Sequence, residues 1–102
     1  MKESYKVIVR DYSYKGNEYT IIKGEHDGIL RAINYKYIDS SGNLTKSLNG
    51  IEMFCDHNAN TVSAIIERIN QKHDWDEYLD ENGIDRNDEE AMLKAVSAFF
   101  KL

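Results

Sequence analysis

Three adjacent residues bring a nucleophile, an acid and a base together in this 102-residue chain: Cys55, Asp56 and His57. On a strand, Cys55 and His57 would project to the same side. Catalytic cysteine and histidine residues usually meet from distant parts of a sequence, so adjacency alone is a weak indication of thiol catalysis. The more ordinary interpretation is that Cys55 is a small buried hydrophobic residue at a strand end and that His57 lies in a loop. We therefore assign no catalytic residue.

Metal binding is the next chemistry that the residue types allow. A zinc site needs about four ligands, and three separated histidines would have to converge on Cys55: His26, His57 and His73. The segment around Asp80, Asn82 and Gly83 lacks the residue order of a calcium-binding loop. The sequence contains no phosphate-binding loop, dinucleotide fingerprint or nucleophile elbow. We therefore expect no metal, no cofactor and no enzymatic activity.

Acidic residues dominate segment 74–90, which has nine carboxylates against the single cation of Arg86, a local charge of −8. Residues 1–50 carry eight Lys/Arg and six Asp/Glu, whereas residues 51–102 carry five and twelve. Phosphate binding depends on clustered Lys and Arg, so this charge disfavours nucleic acid as a direct ligand. It favours a basic partner protein, and the competing interpretation is a solvated face that only keeps the chain soluble.

The candidate partner-binding residues are the acids of this run and two aromatic residues among them. Helical residues four positions apart advance by about 6 Å, a spacing comparable in order to the rise of about 3.4 Å per nucleotide along a DNA strand. The aromatic residues would supply apolar anchors. The full set is Asp74, Trp75, Asp76, Glu77, Tyr78, Asp80, Glu81, Asp85, Asp88 and Glu89.

Six of the seven tyrosines precede residue 38, interleaved with Lys6, Arg10, Lys15 and Lys36. Three interpretations fit them. They could form a stacking platform for single-stranded nucleic acid, or a protein-binding patch. A homodimer could form through an exposed sheet edge or through this tyrosine-bearing face. The tyrosines could also be good strand-forming residues, and this interpretation is favoured.

Alternation with period two indicates strands in the first half of the chain. In segment 5–12, Tyr5, Val7 and Val9 would lie on one side, with Lys6, Ile8, Arg10 and Tyr12 on the other. Segment 18–23 reads as the returning strand of a hairpin. Segment 29–39 fits a further strand or a helix opened by Asp27, and the strand is favoured. Segments 44–48 and 51–55 would complete the sheet.

After residue 56 the period changes to that of a helix. Asn58 or Asn60 is a suitable N-cap for a first helix that ends near His73, with a buried stripe of Val62, Ile65, Ile66 and Ile69. Asp74 would cap a short second helix that Gly83 stops. Asn87 and Glu90 resemble a capping box, which opens a helix whose buried face is Met92, Leu93, Val96, Phe99 and Phe100.

These elements predict an α+β fold. An N-terminal antiparallel sheet of four to five strands, built from hairpins, is followed by two to three C-terminal helices packed on one face. The length and a hydrophobic content of 41% predict one domain over residues 1–102, with a strand-rich half (1–55) and an acidic helical half (56–102). A lone cysteine, no secretory signal and no apolar run near 18 residues predict a protein of the reducing cytoplasm without a membrane partner.

Short motifs in both halves resemble the small acidic anti-CRISPR proteins of phages and mobile elements. They are Gly16-Asn17-Glu18-Tyr19 in a hairpin, a helix such as 60–72, and Trp75-x-Glu77-Tyr78 followed by dense acids and a further helix. A similar order occurs in a type II-A inhibitor of Cas9. The resemblance implies DNA mimicry against Cas9 with its guide RNA, in a bacterial host cell. The phosphate-mimicking candidates would be Asp76, Glu77, Asp80 and Glu81.

Overall fold

The structure is a computed structural model that describes residues 4–55 and 61–101. Its strands are β1 (Tyr5–Tyr14), β2 (Asn17–Gly24), β3 (Leu30–Asn34) and β4 (Met53–Cys55), and its helices are α1 (Val62–Glu81) and α2 (Glu89–Phe100). The four strands form one antiparallel sheet in the order β1-β2-β3-β4. An α+β fold with a four-stranded sheet followed by two helices is therefore confirmed. The suggested N-caps Asn58 and Asn60 lie outside the described residues.

Contacts within the chain form two compact units, Met1–Ile69 and Asn70–Leu102. The boundary falls within α1, so the first turns of this helix belong to the first unit and its remaining turns to the second. The single domain over residues 1–102 stays a prediction.

In the first unit, both faces of the sheet are buried. On one face, Tyr19, Ile21 and Ala32 pack with Ile65 and Ile69 from the first turns of α1. On the other face, a second cluster centres on Ile33, Ile38 and Ile51. Consecutive residues of β2, 19–22, are therefore all buried, instead of alternating with exposed ones. This burial on both faces explains why β2 lacks the buried–exposed alternation of a strand with one solvated face.

Two β-bulges in β1 change which side chains share a face. Val7 pairs with Ile22, but Val9 pairs with Ile21, and Tyr12 pairs with Tyr19, so β1 contains extra residues relative to β2. Tyr12 consequently packs against the same core as Val9. The prediction that Tyr12 lies on the opposite side from Val9 was wrong, because strict alternation cannot account for an inserted residue.

The segment predicted as a strand over 29–39 pairs only as far as Asn34. The Asn34 side-chain oxygen accepts a hydrogen bond from the Lys36 amide at 3.0 Å, and a 3-10 turn, Tyr35–Tyr37, follows. A local side-chain bond of this kind competes with strand pairing. Segment 44–48 was also predicted as a strand. It contributes an isolated bridge between Ile38 and Leu44 and leads into the 3-10 turn Leu48–Gly50.

Helix α1 is continuous from Val62 to Glu81, so the predicted break near His73 was wrong. No proline or glycine interrupts it, and its first glycine downstream is Gly83. Gly83 has a φ of +60° and ends the helix as predicted. The Ile84 amide donates to the Leu79 carbonyl and the Gly83 amide to the Asp80 carbonyl, which is the Schellman arrangement.

Helix α2 begins one residue later than the capping-box prediction. Asp88, not Asn87, is the N-cap, and its side-chain oxygen accepts from the Ala91 amide at 3.1 Å. The predicted buried face is only partly correct. Met92, Val96 and Phe99 are half-buried, but Leu93 is 70% exposed and Phe100 is 42% exposed. Ala95, which is absent from the predicted face, is the buried residue of this helix.

Candidate acidic interface of residues 70–102

The continuity of α1 determines how its acidic side chains are arranged. At about 100° per residue, five acids fall within roughly half of the helix circumference: Asp74, Asp76, Glu77, Asp80 and Glu81. Leu79, which is 1% exposed, lies on the opposite side. We call these five residues the acidic face. The continuous helix fixes the relative directions of these five side chains.

The net charge of the chain is confined to the second unit. Residues 70–102 contain nine acidic and four basic residues, a net charge of −5. Residues 1–69 contain nine of each sign and are neutral overall. The first unit therefore has a mixed, balanced charge, and the second is strongly acidic.

Cations of the same unit partly neutralise the acidic face. Arg86, in the loop between the helices, contacts Asp80 at 3.2 Å and Asp76 at 3.7 Å, and Lys72 also pairs with Asp76. All these side chains are substantially exposed, and pairs in such positions contribute only about 0–1 kcal/mol. A partner that supplies arginine or lysine can therefore replace them at small cost.

The remaining acids divide between structural roles and open positions. Asp85 accepts from the Asn87 amide at 2.9 Å, and Asp88 caps α2, so both shape the turn between the helices. Asp74 and Glu77 also take part in interactions. Within the described part of the chain, Glu81 and Glu89 have no side-chain partner.

The two aromatic candidates, Trp75 and Tyr78, form part of the helical hairpin itself. The Trp75 ring lies 5.2 Å from Phe99 and 6.0 Å from Phe100, centroid to centroid, and the Tyr78 ring lies 5.4 Å from Phe99. These contacts join the end of α1 to the end of α2. Trp75 and Tyr78 are both half-buried, so their first role is to hold the acidic face in place.

The acids at the end of α1 are unfavourable for the helix. The C-terminus of a helix carries a partial negative charge, and Asp80 and Glu81 lie in its last turn, where no basic residue is present. In α2 the arrangement is favourable, because Glu89 and Glu90 occupy the first turn. The acidic face is thus maintained against a local electrostatic cost.

The structure gives little support to thiol catalysis or to metal binding. Cys55 is half-buried at the end of β4, and His57 lies outside the described residues. In the described ranges, 4–55 and 61–101, no three His, Cys, Asp or Glu side chains are grouped so that they could hold a metal ion. None of the helices in these ranges combines the length and apolar character that crossing a membrane requires.

The tyrosines of the first unit do not share one surface. Tyr12 and Tyr19 lie on the sheet face that α1 covers. The Tyr5 hydroxyl instead accepts from the Leu44 amide at 2.6 Å and fixes the loop on the opposite face. This distribution supports the interpretation that the tyrosines are strand-forming and packing residues.

A cleft of about 400 Å³ lies beside the turn between β2 and β3. Its charged wall is an ion pair, in which Arg31 donates to Asp27 at 2.9 Å. This bond and a second from the Ile29 amide hold the pKa of Asp27 below its usual value. A Cβ atom at Gly24 would lie 2.2 Å from the Asp27 carboxylate, so a larger residue there would require the Asp27 side chain to move. The pair explains the shape of the turn and assigns no ligand.

Comparisons of this chain with protein-family models, with curated proteins and with solved structures give no match. The geometry and charge of the second unit are therefore the features that bear on function.

Proposed function

We propose that the protein is a non-enzymatic inhibitor or binding protein of the bacterial cytoplasm. In this proposal, the acidic face occupies a basic, nucleic-acid-binding surface of a partner protein. The observation that supports it most directly is the single continuous helix that carries Asp74, Asp76, Glu77, Asp80 and Glu81 on one side. The confinement of the net charge of −5 to residues 70–102 gives that side a strong negative field.

The acidic helix could compete with nucleic acid because its charges recur at a comparable spacing. Glu77 and Glu81 are separated by about 6 Å along the axis, as are Asp76 and Asp80. A basic groove that normally binds phosphates could pair its arginines with these carboxylates, which arginine binds in bidentate geometry. The sequence resemblance to anti-CRISPR proteins makes Cas9 with its guide RNA the first partner to test.

The test is whether the protein prevents target DNA from binding to the Cas9–guide RNA complex. We expect competition that weakens sharply between about 0.05 and 0.5 M salt, where the screening length falls below 10 Å. Changing Asp76, Glu77, Asp80 and Glu81 to their amides should abolish it. The control changes four exposed acids of the first unit, Asp11, Glu18, Glu25 and Glu67, to amides. Equal losses in both variants would contradict a role for the acidic face.

A finer test uses the cation inside the acidic run. Arg86→Gln removes the pairs with Asp76 and Asp80 and makes the acidic face more negative. We expect two- to tenfold tighter binding of the partner at low salt, because one exposed charge contact contributes a binding free energy of about this size. Lys94→Gln is the matched control, because it makes the same change in net charge on α2. If both substitutions had the same effect, net charge and not the acidic face would determine binding.

The competing hypothesis is a small accessory interaction module, dimeric through a sheet edge, in which the acids only provide solubility. The exposed edge strand β1 is long enough for such pairing, but its two bulges and its charged residues Lys6, Arg10 and Asp11 protect it. Association that is unchanged by salt and by the four amide substitutions would favour this module.

A further inference from the structure

Two large apolar side chains of α2 are exposed to solvent. Leu93 is 70% exposed and Phe100 is 42% exposed, and they are seven positions apart, which places them on the same side of the helix. Half-buried Val96 lies between them. Single exposed apolar residues are ordinary, but these three form a continuous row. We call Leu93, Val96 and Phe100 the α2 stripe.

The stripe has an acidic end. Glu89 precedes Leu93 by four residues, so it continues the same side of the helix toward the N-terminus of α2. Glu89 is exposed and has no side-chain partner among the described residues. This side of α2 therefore presents the Glu89 carboxylate, followed four and eleven positions later by the apolar side chains of Leu93 and Phe100.

The apolar end of the stripe is held rigid. The Phe100 ring contacts Phe99 edge-to-face at 4.9 Å and lies 6.0 Å from Trp75, centroid to centroid. A ring fixed in this way loses little conformational freedom when a partner covers it, and such pre-organised aromatic residues are typical anchors of interfaces. Phe100 thus offers an exposed aromatic anchor that packs on half-buried Trp75 and Phe99.

We infer that the α2 stripe docks a basic amphipathic helix of a partner protein, with its lysine or arginine against Glu89 and its apolar side chains over Leu93 and Phe100. This inference rests on the proposed function, since it adds the apolar contact that charge alone does not provide. Charge complementarity selects this occupant. A second copy of the chain would bring another unit of net charge −5 against the first, and the two would repel.

Two synthetic peptides of 18 residues test the inference with the full chain. The first is helical with leucines on one side and lysines on the other. The second keeps every lysine and replaces each leucine with glutamine. Fluorescence anisotropy should show the first peptide binding about tenfold more tightly than the second. Leu93→Ser should remove that difference, and it should leave the fold intact because Leu93 is so exposed.

The matched control is Ile8→Thr, which removes an exposed apolar side chain (40% exposed) from the first unit and should change neither affinity. Equal binding of both peptides to the wild-type chain would overturn the inference while leaving the proposed function intact. Failure of the four amide substitutions on the acidic face to weaken competition with target DNA would count against the proposed function instead. A dimer that Leu93→Ser dissociates, measured by sedimentation, would also overturn the inference.

Discussion

Two glutamates provide a sensitive test of the electrostatics of the second unit, because one lies at a helix C-terminus and the other at a helix N-terminus. Glu81 is the last residue of α1, and Glu89 is the first residue of α2. Neither has a side-chain partner among the described residues, so replacing either with glutamine removes only a charge. Glutamine has nearly the same helix propensity as glutamate. We expect Glu81→Gln to stabilise the protein and Glu89→Gln to destabilise it.

The magnitudes follow from the positions of the two residues. A charge in the terminal turn of an exposed helix changes stability by about 0.3–1 kcal/mol. Glu81 also lies four residues after Glu77, and a like-charge pair at this spacing costs about 0.2–0.5 kcal/mol. Glu81→Gln should therefore raise the free energy of unfolding by about 0.5–1.5 kcal/mol. Glu89→Gln should lower it by about 0.3–1 kcal/mol.

Urea unfolding at low salt is the assay, followed by the fluorescence of Trp75. This residue is the only tryptophan of the chain, and it packs against Phe99 in the second unit, so its signal reports the helical hairpin. Both shifts should shrink in about 1 M salt, where the screening length is about 3 Å. Shifts of the same sign for the two substitutions, or shifts that salt leaves unchanged, would refute the helix-dipole argument.

Two further predictions concern the first unit. Thr20 is fully buried, and its hydroxyl donates to the Arg10 carbonyl at 2.6 Å beside a bulge of β1. Thr20→Val should cost about 1 kcal/mol in urea unfolding, whereas Thr45→Val, at an exposed hydroxyl, should cost less than about 0.5 kcal/mol. The lowered pKa of Asp27, which results chiefly from the hydrogen bond with Arg31, contributes stability above the ordinary carboxyl pKa of about 3.9. That contribution is lost as the pH falls through the lowered value, so Asp27→Asn should lose less stability on acidification than the wild type in urea titrations from about pH 7 to pH 3.

Much of the fold could be predicted from local patterns. The β1–β2 hairpin, the Val62–Ile69 stripe and the stop at Gly83 each follow from a short-range rule that the structure obeys. The bulges of β1 could not be predicted, because an inserted residue leaves no mark in an alternating sequence. The 3-10 turn after Asn34 could not be predicted either. It forms around the hydrogen bond from the Lys36 amide to the Asn34 side chain, whereas the alternating pattern of residues 35–38 indicates a strand.

The candidate site shows a similar division. The acidic composition is visible in the sequence, and the helical period already groups Asp76, Glu77, Asp80 and Glu81 on one side. The continuity of α1 adds Asp74 to this group. Asp74 is a good N-cap residue type, and this suggested a break that the helix does not have. Helical spacing predicts that Leu93 is buried. Leu93 and its neighbour Met92 both fit the period of the buried face, so the period does not show which of the two is exposed. The smaller Ala95 is the residue that is buried.

The distribution of charge bears on whether the acidic face serves solubility or the binding of a partner. A soluble surface needs charge, but the charges can be of both signs, and interspersed signs avoid self-repulsion. Residues 1–69 meet that need with nine acids and nine bases. Residues 70–102 instead place Asp80 and Glu81 at a helix C-terminus, where they oppose the dipole, and supply Arg86 and Lys72 as only partial compensation. Such a local cost is expected where side chains serve a partner more than the fold. A basic surface that replaces Arg86 would remove that cost on binding, so the proposed function accounts for acidic residues placed at a helix C-terminus.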